Sequence, residues 1–280
     1  MSRWSSSRVL RTRLISAAIM IVIVVGGLFY LPTPAFALAL SLVIVAGLWE
    51  WSRMIPLATL AGQIAYPLLV AILLWQLWTA APGMTALPLL WAGLAFWVAV
   101  LLYLPRAGVS LEHGPGRRII KAMAGVLVML PAWTALVLLH GRETDGALTI
   151  LYLLVLVWLA DSGAYFAGRK WGRNKLAPGI SPGKTWEGVY GAMATCGVFA
   201  LVVGFTYGAT LKWAAGFTLV SLLTVMFSIL GDLLESLMKR QAGIKDSSKL
   251  IPGHGGVLDR IDSLTAAAPV FYLGIHWLKL

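Results

Sequence analysis

The chain has 280 residues, of which 59% are hydrophobic and only 12% are charged. A soluble domain of this length carries roughly twice that charged fraction, so these charges are too few to cover a surface exposed to water. The apolar content also excludes a disordered protein, and the net charge of +11 must be tested against membrane topology before nucleic-acid binding is considered. Cys196 is the single cysteine, which excludes an intrachain disulfide and a cysteine-based metal site.

Apolar stretches long enough to cross a bilayer, about 20 residues each, recur along the whole chain. They predict an all-α polytopic integral membrane protein with about nine transmembrane helices. We expect the first helix to stay uncleaved, because its apolar run is longer than a typical signal core. The predicted spans are 14–31, 33–51, 62–81, 87–105, 119–140, 147–168, 188–209, 212–235 and 263–279.

The positive charges predict how these helices are oriented. With the N-terminus placed in the cytoplasm, 19 of the 22 Lys and Arg residues fall on the cytoplasmic side, and Arg142, Lys212 and Lys279 fall outside. This bias follows the positive-inside rule, so we expect a cytoplasmic N-terminus and an external C-terminus. The predicted location is the inner cell membrane. Topology therefore explains the basic net charge, and no nucleic-acid partner is expected.

Polar residues divide the chain into two parts. Residues 1–145 hold five predicted helices with short loops, and we expect them to form a scaffold and a candidate oligomerisation region. Residues 146–280 hold four helices and two long loops rich in Gly, Lys, Asp and Ser. Asp161 lies near the cytoplasmic end of the sixth helix, where a carboxylate is costly unless it is paired or hydrated. Small neighbours such as Gly163 allow another helix or a ligand to approach closely, so we expect the chemistry within 161–262.

The two cytoplasmic loops carry residues suited to an anionic ligand. In the first loop, Ser181 to Thr185 resembles the end of a phosphate-binding P-loop, but the glycine that opens that motif would fall on Pro178. Its glycines can still expose backbone N–H groups beside Lys184, and Thr185 is expected to cap the next helix. In the second loop, the glycine corner at 252–256 can form an anion-binding nest.

Acidic residues around the second loop suit a metal ion. Asp232 lies four residues before Ser236 on one helix face, and Asp259 and Asp262 are three residues apart on the next helix. Carboxylates beside phosphates favour Mg²⁺, which binds one or two carboxylates and keeps waters or substrate phosphates as its other ligands. A network of interfacial ion pairs is the structural alternative. His254 is expected to bind a phosphate or to fix the loop, since no second His or Cys stands at metal-ligand spacing.

These residues resemble the signature of the CDP-diacylglycerol synthases, also called phosphatidate cytidylyltransferases. The matching positions are Ser236, Lys239-Arg240, Lys245 to Ser248 and Ile251 to Asp262. Two further stretches, 161–169 and 181–188, resemble other parts of the family, with Gly183 standing where the family often has a lysine.

The resemblance implies transfer of the cytidylyl group of CTP to phosphatidate, which gives CDP-diacylglycerol and pyrophosphate and requires Mg²⁺. It also implies a monovalent cation such as K⁺, a homodimer in the lipid bilayer and a cytoplasmic active site. The implied catalytic residues are Asp232, Asp259, Arg260 and Lys239. The implied metal ligands are Asp232, Asp259, Asp161 and Asp262. The implied substrate-binding residues are Arg240, Lys245, Asp246, Ser236, His254, Gly255, Gly256, Lys184, Ser181 and Thr185.

Other functions fit parts of the same pattern. Another membrane phosphotransferase, such as one acting on a polyprenyl phosphate, would use the same metal chemistry. A cation-coupled transporter of an anionic metabolite would also use acids and basic loops, but transporter sites lie near the membrane midplane between repeated helices, and no repeat is visible here. A purely structural scaffold would tolerate Asp259→Asn and Asp232→Asn. The cytidylyltransferase is the leading hypothesis.

Overall fold

The computed structural model describes residues 3–55, 57, 59–80, 82–109, 115–207 and 210–279, without the side chains of 3–13, 82–85 and 115. This part of the chain forms nine α-helices, a short 3₁₀ helix at Leu104–Arg106 and one β-hairpin. The helices are α1 Arg3–Tyr30, α2 Thr33–Met54, α3 Leu60–Thr79, α4 Pro82–Tyr103, α5 Pro115–His140, α6 Gly146–Trp171, α7 Trp186–Tyr207, α8 Leu211–Gln241 and α9 Leu258–Trp277.

Within the described ranges, seven helices are long and apolar enough to cross a membrane. They are α2 to α8, whereas the apolar part of α1, Leu14–Tyr30, is shorter. The first five residues of α9 include Asp259, Arg260 and Asp262, whose charges lower the hydropathy of this helix. A mainly helical polytopic membrane protein is thus confirmed, while nine crossings, the orientation of the termini and the division into two parts stay predictions.

A β-hairpin between α6 and α7 was not predicted from the sequence. Strand β1, Lys175–Ala177, pairs antiparallel with β2, Ser181–Thr185, so that Ala177 lies opposite Ser181. Helix α7 follows directly, and the N–H of Gly188 donates to Oγ1 of Thr185 at 3.2 Å. This hydrogen bond confirms the predicted N-cap, because it satisfies one of the N–H groups that a helix start leaves free.

Glycine-mediated contacts bring α6 against α7 and α8 against α9. A Cβ atom on Gly191 would lie 2.7 Å from the carbonyl oxygen of Gly163, and one on Gly188 would lie 2.9 Å from that of Ala164. A Cβ atom on Gly231 in α8 would lie 2.5 Å from the carbonyl oxygen of Asp262. Side-chain carbons do not approach oxygens this closely, so the helix backbones can come this near only because these positions are glycine. The small residues beside Asp161 therefore admit another helix.

The main hydrophobic core joins helices from both ends of the sequence. Trp51 of α2, Met129 of α5 and Leu258 of α9 are almost completely buried in it, together with Leu237 of α8. Because α2, α8 and α9 share this core, their ends on the side of the glycine corner lie next to one another. That arrangement places Glu50, one residue before Trp51, against the start of α9.

Candidate active site

An accessible ion pair joins the hairpin to α8. Nζ of Lys184 lies 2.6 Å from Oδ2 of Asp232, and the two side chains are 26% and 31% exposed. Ser236 donates from Oγ to the other oxygen, Oδ1, at 3.2 Å, which agrees with the shared helix face predicted from the sequence. Because water reaches both partners of the pair, either one can exchange its partner for a ligand.

Two more of the predicted residues surround this pair. Asp161 of α6 and Arg260 of α9 are both exposed. Asp161 interacts electrostatically with Asp232, Lys184 and Arg260, so side chains from four separate elements act on one another here. Carboxylates and cations that share an accessible surface can receive a metal ion together with an anionic ligand.

A second and more buried ion-pair group lies between α8 and α9. Nζ of Lys239 is 2.6 Å from Oε2 of Glu235 and 2.6 Å from Oδ1 of Asp259. The side chains of Glu235 and Asp259 are only 2% and 8% exposed. One ammonium group therefore serves two carboxylates in a region that water scarcely reaches. The sequence analysis assigned no role to Glu235.

Both oxygens of Asp259 are occupied by protein groups. While Oδ1 pairs with Lys239, Oδ2 accepts hydrogen bonds from the N–H of Ser247 at 3.0 Å, its hydroxyl at 2.8 Å and the N–H of Gly256 at 2.8 Å. Burial alone would raise the pKa of Asp259, but Lys239 and these donors outweigh burial and lower the pKa to about 2. Asp259 thus ties the glycine corner to α9, and it could bind a metal ion only by giving up some of these partners.

The glycine corner has a tightly defined backbone. Gly253 and Gly255 have φ angles of +77° and +88°, which side-chain-bearing residues rarely adopt. The N–H of Ile251 donates to the carbonyl oxygen of Gly255 at 2.8 Å and closes the turn. Nδ1 of His254 lies 2.8 Å from Oγ of Ser16 in α1, a contact that corresponds to the loop-fixing alternative for this histidine.

Glu50 in α2 is a second residue that the sequence analysis missed. It is fully buried, and its two carboxylate oxygens accept four hydrogen bonds. The donors are the hydroxyls of Ser247 at 3.0 Å and Ser248 at 2.5 Å and the N–H groups of Val257 at 3.0 Å and Leu258 at 2.7 Å. The only signal in the sequence was an acid near the end of an apolar helix, roughly 200 residues away from its partners.

The other predicted substrate-binding residues fall into two groups. Arg240 donates from Nε to the carbonyl oxygen of Ile180 at 3.4 Å, which links α8 to the hairpin, and Thr185 is buried as the cap of α7. Lys245 and Asp246 are exposed in the loop after α8. No hydrogen bond or ion pair to another described residue fixes these two side chains, so nothing brings them to the Asp232 group.

The donor set can be tested against a magnesium ion. In the parts of the chain that the structure describes, no three His, Cys, Asp or Glu side chains converge in an arrangement that could hold a metal. Mg²⁺ needs only one or two carboxylates, however, when waters and phosphates complete its shell. Oε1 of Glu235 is buried and has no hydrogen-bond partner among the described residues. The neighbouring carboxyl group of Asp262 acts on Glu235 electrostatically. Carboxylate oxygens outnumber donors at this point, so the residues fit a bound cation.

Comparison with known proteins assigns the chain to a family. The model of the cytidylyltransferase family matches residues 11–278, which is almost the entire sequence. The chain belongs to the cytidylyltransferase family. The resemblance seen in the sequence is thereby confirmed, and its motifs fall within 161–262, the region that supplies all three ion pairs described above.

Relatives within the cytidylyltransferase family are similar along most of their length. A phosphatidate cytidylyltransferase of Pseudomonas aeruginosa is 46% identical over 265 residues, which cover 94% of this chain and 95% of the relative. One of Haemophilus influenzae is 40% identical over 289 residues, covering 94% and 97%. One of Brucella suis is 48% identical over 139 residues, about half of each chain.

Proposed function

We propose that this protein transfers the cytidylyl group of CTP to the phosphate of phosphatidate, giving CDP-diacylglycerol and pyrophosphate for phospholipid synthesis. The observation that carries the proposal is the match to a relative named for this activity over 94% of the chain. The site agrees with it, because two anionic reactants require several cations and a metal-binding carboxylate at one accessible place.

In this reaction an oxygen of the lipid phosphate attacks the α-phosphorus of CTP, and the bond from that phosphorus to the β-phosphate breaks so that pyrophosphate leaves. A phosphate monoester is largely ionised near neutral pH, so no strong general base is needed. The protein's task is therefore to align the reactants and offset their charge. Lys184 and Arg260 are placed to do this at the accessible part of the site, and the planar guanidinium of Arg260 can hold two phosphate oxygens.

Asp232 is the proposed principal ligand of Mg²⁺, with Asp161 and Asp262 as further ligands. A bound Mg²⁺ would neutralise phosphate oxygens and favour in-line displacement at phosphorus. Asp259 remains a candidate ligand, although in the described state it holds Lys239 and the glycine corner. A monovalent cation such as K⁺ belongs to the same proposal. It is supported by Oε1 of Glu235, a buried carboxylate oxygen without a hydrogen-bond donor among the described residues.

The glycine corner and the cations beside it are proposed to bind substrate phosphates. The glycine corner would offer those backbone N–H groups that Asp259 and the turn itself do not use, and Lys239 and Arg240 would add positive charge close to it. Ser236 keeps Asp232 in place through its hydrogen bond.

We further propose that the protein lies in the inner cell membrane as a homodimer, with the site on the cytoplasmic side. The bias of 19 of 22 cations toward the side that carries the site supports this orientation. Cysteine labelling of whole cells would test it, because a cysteine at exposed Lys245 should react only after the membrane is permeabilised. Cross-linking in native membranes would test the dimer.

Pyrophosphate release by detergent-purified protein tests the reaction. We expect release only when CTP, phosphatidate and Mg²⁺ are all present, and CDP-diacylglycerol should appear in equal amount by mass spectrometry. Asp232→Asn should abolish release, whereas Glu143→Gln, an exposed acid in the loop between α5 and α6, should leave it unchanged. Release with a polyprenyl phosphate but not with phosphatidate would instead favour the other phosphotransferase.

A further inference from the structure

One carboxylate in α2 holds both ends of the loop that carries the glycine corner. At the start of the loop Glu50 accepts the hydroxyls of Ser247 and Ser248, and at its end it accepts the N–H groups of Val257 and Leu258. The four donors match the four acceptor positions of a carboxylate. Segments ten residues apart in the chain are therefore fixed to a single side chain from another helix.

Glu50 also supplies the cap that α9 lacks. Val257, the residue before α9, has helical backbone angles, and no side chain of its own segment caps the helix. The first N–H groups of a helix have no partner within the helix, and a negative charge there is favoured by the helix dipole. The Glu50 carboxylate meets both needs from α2 and so determines where α9 begins, directly before Asp259.

The positions of Glu50 and Asp259 are linked through one hydroxyl group. Oγ of Ser247 lies 3.0 Å from Oε2 of Glu50 and 2.8 Å from Oδ2 of Asp259. There is also no spare room between them, because a Cβ atom on Gly256 would lie 2.5 Å from each oxygen of Glu50. A displacement of the Glu50 side chain must therefore move Ser247, and with it the hydrogen bonds that orient Asp259.

We propose that Glu50 is a positioning residue for the transferase reaction: it holds residues 247–258 in the conformation that sets the glycine corner and Asp259. It does not contact substrate, since it is completely buried. Its effect on activity rests on the proposed function, whereas its effect on the loop does not, and the two can be measured separately.

The substitution Glu50→Gln tests the hydrogen bonding without changing the size of the side chain. A glutamine has one oxygen and one NH₂ group, so in either orientation the NH₂ group faces a backbone N–H of Val257 or Leu258. Two donors then oppose each other, and that end of the loop is released. Ser248→Ala is the milder variant, because it removes one of the four donors and leaves the carboxylate in place.

Hydrogen–deuterium exchange of the protein in lipid nanodiscs gives the readout that is independent of activity. We expect exchange in peptides covering 247–258 to accelerate at least about tenfold in Glu50→Gln and less in Ser248→Ala. The matched control is Ser52→Ala, which removes another fully buried polar group of α2 whose hydroxyl bonds to Trp49 in the same helix. Its exchange in 247–258 should equal that of the wild type.

The kinetic readout separates positioning from a loss of folded protein. We expect kcat/KM to fall by about 10- to 100-fold in Glu50→Gln, with a higher KM for at least one substrate, because the corner and Asp259 are displaced. Partial unfolding would lower the maximal rate at unchanged KM. A wild-type protein without transferase activity would refute the proposed function and leave the exchange result to decide on the loop.

Two results would overturn the role of Glu50. One is exchange in 247–258 that stays at the wild-type rate in Glu50→Gln. The other is acceleration spread evenly over the whole chain, which would show general destabilisation. If Glu50→Gln does not fold, Ser248→Ala decides: faster exchange confined to 247–258 supports the proposal, and behaviour equal to that of Ser52→Ala refutes it.

Discussion

The buried ion-pair group between α8 and α9 is expected to stabilise the contact between these two helices. Lys239→Met removes the ammonium group but keeps an unbranched side chain of similar length. Lys239 is 13% exposed, and its partners Glu235 and Asp259 are 2% and 8% exposed, so water cannot replace the lost contacts. Removing one partner of a buried ion pair costs about 3–5 kcal/mol, and we expect a loss in free energy of unfolding within that range.

Most of this loss in free energy of unfolding should come from Glu235. Asp259 keeps three other hydrogen-bond donors, whereas Oε1 of Glu235 already has none among the described residues. Adding Glu235→Gln to Lys239→Met replaces the buried carboxyl group that has lost its partner. The double variant should therefore recover about 1–3 kcal/mol relative to Lys239→Met alone.

Unfolding in mixed micelles with a rising fraction of sodium dodecyl sulfate measures these differences, and the 13 tryptophans provide the fluorescence signal. Lys249→Met, at an exposed lysine in the nearby loop, is the control and should change stability by less than about 0.5 kcal/mol. A double variant no more stable than Lys239→Met, or a single variant as stable as the wild type, would show that this group does not hold α8 to α9.

Three further predictions concern activity. Asp232→Asn should lower the rate of pyrophosphate release at least about 100-fold and leave gel-filtration behaviour unchanged, since the side chain is 31% exposed. Normal activity would exclude it as a metal ligand. Lys184→Met should raise the KM of a substrate severalfold in steady-state assays, while Lys175→Met, at an exposed lysine of β1, should not. An equal increase of KM in both variants would indicate a general effect of positive charge rather than a specific role of Lys184. Gly256→Ala should lower activity about 10- to 100-fold, because its Cβ would lie 2.5 Å from the Glu50 oxygens. Gly116→Ala, which meets no atom within 4 Å, is its control, and equal activity of the two variants would contradict a tightly fitted corner.

Patterns within one segment of the sequence were enough to predict much of the fold and part of the site. Helical spacing placed Ser236 beside Asp232, and their hydroxyl–carboxylate hydrogen bond is present. Capping chemistry identified Thr185 as the N-cap of α7. Both features depend on residues no more than four positions apart, for which helix geometry alone fixes the distance.

The features that the sequence did not reveal depend on contacts between distant segments. Strand β1 has only three residues, and β2 contains Pro182 and Gly183, so neither strand shows an alternating pattern. The pair of Lys184 with Asp232 requires the hairpin to fold toward α8, and the contacts of Glu50 require α2 to pack beside α9. No local pattern encodes such neighbours, because they follow from how the helices share a core.

The two ion-pair groups differ in exposure, which indicates that they have different roles in the site. Lys184 and Asp232 are both about one-quarter to one-third exposed, so exchanging their contact for a phosphate or a metal ion costs little. Lys239 and its partners are nearly buried, and separating them would leave charges that water cannot reach. The accessible pair can therefore change partners during each reaction cycle, whereas the buried group and Glu50 have to stay in place. Substitutions of Lys184 or Asp232 should alter the dependence of activity on substrate and metal. Substitutions in the buried group or at Glu50 should also alter stability and the order of the loop.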